Sequence, residues 1–303
     1  PTIELLSLAR FGQGIGAASG RILAMAIVRD KYDRERAARL LSYMMAISGI
    51  MPIIGPAIGG ILVTYSSWPA VFVYMATFAL MILVISGFFL RETLLEKDMN
   101  ALKPCHLAMN FKTMLQDPKF LAYTACTSLS GAGLMAFLAT VPNILINTLE
   151  YGTDGFAILF ALVMTCNMLA AFVGGKLVMR VGIDQLLGIA MIFAGLSSLI
   201  FFSLAAAGIM TAAAIIIPFT LFKMSDAMIG PQATAGALSP FPRMAGAASS
   251  LTGSIRQMTG AGAAILAGLF DDGTSLPMGV GILLAGIGPL VIYHLVIRPR
   301  TAK

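Results

Sequence analysis

Five ionisable side chains stand inside apolar stretches, where charge is expensive: Arg10, Arg21, Lys223, Asp226 and Arg256. A charge at the middle of a bilayer costs at least about 2.5–3.5 kcal/mol on insertion scales, so each needs a partner, a wet cavity or a route to the surface. Arg21 lies nearest the end of its apolar run, and its long stem can carry the guanidinium out to the interface. Arg10 and Arg256 are deeper and are expected to face the interior of a helix bundle. Lys223 and Asp226 are three residues apart, which puts them on one helical face within pairing reach. The pair reads either as a structural ion pair or as a carboxylate that exchanges a proton as the protein works. The sequence leaves both readings open.

Enzyme chemistry finds little to work with. There are two histidines, His106 and His294, far apart, and neither GxSxG nor HExxH occurs. The three cysteines, Cys105, Cys126 and Cys166, form no CxxC pair. They read as buried thiols rather than as disulfide or metal positions. No catalytic residue and no metal ligand set is predicted. The stretch GQGIGAASG (residues 12–20) has GxG spacing, but no strand precedes it, so it is not read as a phosphate cradle.

The elements that must hold these charges follow from composition. Of 303 residues 58% are hydrophobic and 11% charged, against about 25% charged in soluble domains. The chain therefore reads as an all-α, multi-pass membrane protein. Nine candidate spans lie near residues 3–28, 40–64, 69–90, 120–149, 155–175, 184–207, 210–237, 244–269 and 277–297. Sixteen of the 20 Lys and Arg fall in every second connection or in the tail. That alternation is the positive-inside pattern, and it puts those connections and the C-terminus on the cytoplasmic side. It also explains the net charge of +6 without nucleic acid as a partner.

Residues 91–119 form the long connection, with Leu107, Phe111, Met114 and Leu115 at helical spacing. An interfacial helix on the cytoplasmic face is expected there. It divides the chain into a partial bundle over residues 1–91, a linker over 92–119 and a six-helix bundle over 120–303. The chain opens directly inside an apolar segment, so three further spans are expected before it. The run from Arg36 aligns loosely with the run from Arg243, as two related halves would.

Small residues mark helix contacts. Gly12, Gly16 and Gly20 share one face of the first span, and Gly55 and Gly59 share a face of the second. The stretch MPIIGPAIGG (residues 51–60) places two prolines and three glycines inside a span. Helix breakers are tolerated at that depth when neighbouring helices satisfy the freed backbone groups, so Pro56 is expected to bend the helix.

Several motifs together resemble a known family. LARFGQGIGAASG (8–20) resembles the fourth-helix motif of drug:proton antiporters in the major facilitator superfamily. GPAIGG (55–60) resembles their fifth-helix antiporter motif. GGKLVMRVG (174–182) looks like the second copy of their cytoplasmic loop motif. AIVRD (26–30) and GPQATAGALSPFPRMAGAASSLTG (230–253) are similar to the bicyclomycin-resistance (Bcr/CflA) type. The resemblance covers essentially the whole chain, read as helices four to twelve of twelve.

It implies a bacterial inner-membrane exporter that trades protons for drug-like molecules. The proton gradient supplies the energy, with no cofactor, and a monomer in the lipid bilayer is implied. By position, Arg10 matches the arginine linked to proton coupling. Gly55, Pro56, Gly59 and Gly60 match the antiporter motif, and Gly175, Lys176, Arg180 and Gly182 the gating loop. Met51 departs from the family's usual glycine. Lys223 and Asp226 stand where small or apolar residues are common, so with Arg10 and Arg256 they are the expected polar groups of the substrate cavity. A metabolite or sugar exporter of the same superfamily, or a truncated subunit that does not transport, are the competing readings.

Overall fold

The computed structural model describes residues 2–31, 51, 54, 55, 58–90, 104–241 and 245–297. It divides into two compact units, Pro1–Met99 and Asn100–Lys303. The described residues are helical almost throughout, and none is in a strand.

The first unit contains α1 (Ile3–Lys31) and α2 (Trp68–Phe89), with residues 58–65 also helical. Pro69 sits in the first turn of α2, where its missing N–H is no loss. No residue of α2 is buried within the unit, and its sequence is apolar on every side, as a lipid-facing helix must be. Residues 32–50 and Pro52 and Pro56 lie outside the described residues, so the expected bend at Pro56 and the repeat beginning at Arg36 do too.

The second unit begins with α3 (Pro104–Gln116), within the segment read as the linker. Its Met114 is completely buried, and the helix touches α4 and α8, so part of its apolar stripe packs against protein. Six long helices follow: α4 (Pro118–Pro142), α5 (Gly152–Val181), α6 (Ile183–Ala206), α7 (Ala212–Leu238), α8 (Ala245–Leu269) and α9 (Leu276–Ile292). Asp117 caps α4 by accepting from the N–H groups of Lys119 and Phe120, and Thr211 caps α7 through Ala214. Helices α4 and α9 each run on into a π-helical turn, Asn143–Thr148 and Tyr293–Ile297. Both turns follow a proline inside the helix, Pro142 and Pro289, whose missing N–H loosens the regular ladder.

Helices α4, α7, α6 and α9 pack in a ring; α8 lies against α4 and α5 against α7. The ring closes tightly because small residues face large ones. A Cβ added to Gly133 would come within 2.7 Å of the Phe222 ring, and one on Gly236 within 2.6 Å of Tyr123. Phe137 and Phe219 stack with centroids 3.5 Å apart where α4 meets α7.

Eight of the nine candidate spans fall on described helices, and most of the ninth, 40–64, lies outside them. Among the described residues six helices are long and apolar enough to cross a membrane; α1 and α8 are long enough but less uniformly apolar. One sequence expectation needs correction. The stretch read as a gating loop is helix through Val181, since Lys176 to Val181 contains no helix breaker. Only Gly182 leaves the helix, at φ 83° and ψ 166°, a conformation open essentially to glycine. In the turn before α9, hydrogen bonds from Thr274 hold the exposed Asp272 carboxyl below its ordinary range.

Candidate functional site

The three charges predicted in the later spans meet. Lys223 and Asp226 are one turn apart on α7, and their Nζ and Oδ2 atoms are 2.5 Å apart. Both residues are only 4% exposed, although Lys and Asp almost never bury fully unless paired. Ser130, on α4, donates to the other carboxylate oxygen of Asp226. The carboxylate therefore has a charged partner on one oxygen and a hydroxyl donor on the other. Satisfying the second oxygen is what makes such burial tolerable.

Arg256 arrives from α8. It lies close enough to Asp226 to interact with it electrostatically, but it makes no hydrogen bond to the carboxylate. Its Nη1 donates to Thr127 Oγ1 on α4 at 3.3 Å. Gly131 makes room for the guanidinium, which only touches the space beside Gly230. A Cβ on Gly131 would lie 2.8 Å from Nε, and one on Gly230 3.5 Å from Nη1. Arg256 is half-buried, whereas Lys223 and Asp226 lie in the packed interior. Thr124 and Thr252, bridged at 3.3 Å, continue the α4–α8 seam.

Arg10 lies in the first unit. Its guanidinium stands 4.5 Å from the centroid of the Phe72 ring, a cation–π contact, and donates to Gln13. The two helices there line a groove of about 260 Å³ that includes Arg10, Gln13, Phe72 and Met75. The Arg21 side chain lies outside the described residues. A Cβ on Gly12, Gly20, Gly55, Gly59 or Gly60 meets no described atom within 4 Å, so these positions leave open space beside their helices. Gly175 is equally open, and Lys176 and Arg180 are exposed near the end of α5.

Sequence reasoning missed Ser130 and Thr127. The signal was the hydroxyl-rich run TACTSLSG (124–131) inside an apolar span. It also missed a second polar junction. The Tyr123 hydroxyl donates to Asp184 Oδ1 at 3.0 Å, and the Tyr293 hydroxyl to the Asp184 carbonyl at 3.0 Å, joining the start of α4, the start of α6 and the end of α9. Two buried oxygens, Ser128 Oγ and Gln232 Oε1, have no hydrogen-bond partner among the described residues. No group of three metal-ligating side chains occurs among the described residues.

A bundle of membrane-length helices enclosing a hydrogen-bonded ion pair has the makings of a transporter. The sequence profile of the Major Facilitator Superfamily matches residues 1–265, and the chain belongs to that superfamily, a family of multi-pass membrane transporters rather than enzymes. It is 28% identical over 271 residues to a bicyclomycin resistance protein homolog of Haemophilus influenzae, covering 89% of this chain and 67% of that protein. It is 28% identical over 302 residues to the multidrug resistance protein MdtL of Klebsiella pneumoniae, covering 98% of this chain and 74% of that one. An uncharacterized MFS-type transporter of Bacillus subtilis, YdgK, is 26% identical over 97% of this chain and 74% of its own length.

Proposed function

We propose that this protein exports drug-like small molecules across the bacterial cytoplasmic membrane in exchange for protons. The observation that carries the reading is the buried Lys223–Asp226 pair with Ser130, set between packed spans of a chain whose relatives are named for bicyclomycin and multidrug resistance. In this reading the chain supplies helices four to twelve of the fold: residues 1–91 belong to one bundle, 92–119 form the cytoplasmic linker and 120–303 form the other bundle. The C-terminus is cytoplasmic. The proton gradient is the energy source, no cofactor takes part, and the working unit is a monomer.

Asp226 is the proton-exchanging carboxylate of the second bundle. Protonation would release Lys223, and loss of the proton would restore the pair, so the packing of α4 against α7 would follow the charge state. Arg10 contributes to coupling from the first bundle. Gly12, Gly16 and Gly20, and the motif Gly55, Pro56, Gly59 and Gly60, supply smooth faces for neighbouring helices to move against. Lys176, Arg180 and the flanking Gly175 and Gly182 form the cytoplasmic gating element in this reading. Alternating access around the midplane is the mechanism.

Proteoliposomes containing the protein test this. Efflux of a dye such as rhodamine 123 should follow an imposed proton gradient and collapse with a protonophore. Asp226→Asn should keep dye–dye counterflow while losing the response to the gradient. An Asp226→Asn protein still driven by the gradient removes Asp226 from the coupling scheme, and efflux insensitive to a protonophore overturns the antiport reading.

A further inference from the structure

We propose that Arg256 is the docking point for an anionic group of the transported molecule, a planar carboxylate in the first instance. The inference rests on the export reading above and names the substrate chemistry of that same region.

The charge balance points to it. Away from the helix ends, the described spans of the second unit hold two cations, Lys223 and Arg256, and one carboxylate, Asp226. That carboxylate is already committed. Lys223 holds one of its oxygens and Ser130 the other, and no hydrogen bond from Arg256 reaches either. The site is therefore left one positive charge in excess, at a depth where uncompensated charge is costly.

The hydrogen-bonding balance agrees. A guanidinium carries five N–H donors in a rigid fork. Among the described residues Arg256 has one side-chain acceptor, Thr127 Oγ1 at 3.3 Å, and no ion pair. The guanidinium fills the space left by Gly131 and stands near Gly230, so it is held between backbone segments of α4 and α7 rather than free to swing away. Yet Arg256 is half-buried, so one side of it is reachable. A positioned, reachable and unpaired fork matches a carboxylate, which accepts two parallel hydrogen bonds from it. Lys223, fully enclosed and paired, cannot serve. An anion on Arg256 would also bring the local charge to neutrality.

Rhodamine 110 and its methyl ester, rhodamine 123, differ only in a free carboxylate and test this directly. Binding of each dye to the purified full chain is read by fluorescence polarisation. The acid should bind about tenfold more tightly than the ester, the worth of one charge-assisted contact. Arg256→Gln should bring that ratio close to one, and Arg256→Lys should restore part of it. Gln257→Ala, one position along on an exposed face, should keep the wild-type ratio and serves as the folding control. Equal binding of acid and ester, or an acid preference that survives in Arg256→Gln, overturns the proposal and leaves the export reading standing. Failure of the wild type to bind either dye overturns the drug-like substrate class and this proposal with it.

Discussion

Removing one member of the buried ion pair should harm the protein far more than removing both. In Asp226→Asn the Lys223 ammonium, 4% exposed, loses its only ion-pair partner among the described residues. The neighbouring Arg256 guanidinium then adds repulsion that Asp226 now offsets. The amide keeps a hydrogen-bonding oxygen for Ser130, so the change isolates the charge. Breaking a buried pair from one side costs about 3–5 kcal/mol, whereas replacing both partners by apolar groups of similar volume is often neutral or favourable by about 1–4 kcal/mol. Lys223→Met combined with Asp226→Leu should therefore recover most of what Asp226→Asn loses. Equilibrium unfolding in mild detergent, followed by helix signal and by labelling of Cys126, reads both variants; this thiol is fully buried in the folded protein. By the scaling for domains of 150–250 residues, Asp226→Asn should lower the midpoint by about 6–20 °C. A single variant within about 1 kcal/mol of wild type, or a double variant worse than the single one, refutes the reasoning. Either result means that the lysine has a compensating partner or that water reaches the pair.

Three further substitutions probe the packing. Gly286→Ala should cost about 1–3 kcal/mol in the same unfolding assay, because the new methyl would meet the Ala194 carbonyl at 2.7 Å, while Gly175→Ala, with open space around it in a helix, should be neutral or gain about 0.5–1 kcal/mol. Tyr123→Phe removes the hydroxyl that ties α4 to Asp184 and should cost at most about 1.5–3 kcal/mol, with faster amide hydrogen exchange at residues 183–188; unchanged exchange there would show that this junction does not hold the start of α6.

Much of the fold was legible because the membrane writes its demands locally. Each span must be apolar over about 20 residues, and that can be read without knowing its neighbours. The i,i+3 relation of Lys223 and Asp226 is equally local, and the structure pairs them. The failures were also physical. Lys176 and Arg180 looked like loop residues because charge was taken to end a span, but a helix continues past the apolar layer until its backbone meets a breaker, here Gly182. The glycine stripe of α1 is visible in sequence, whereas the glycines that bring described helices together, Gly133, Gly236 and Gly286, show no comparable spacing. Their partners, Phe222, Tyr123 and Ser198, come from other helices.

Residue types and their order alone specify an all-helical membrane protein, the positions of its spans, the motifs of its superfamily and a short list of charges that must be compensated. Tertiary structure decided how they are compensated. Ser130 reaches Asp226 across 96 residues of chain, and Arg256 reaches Thr127 across 129. Burial cost depends on residue type and can be read one side chain at a time. Compensation depends on which helix faces which, and only packing settles that. Among the described residues it gave Asp226 two hydrogen-bonding partners and Arg256 a single hydroxyl acceptor.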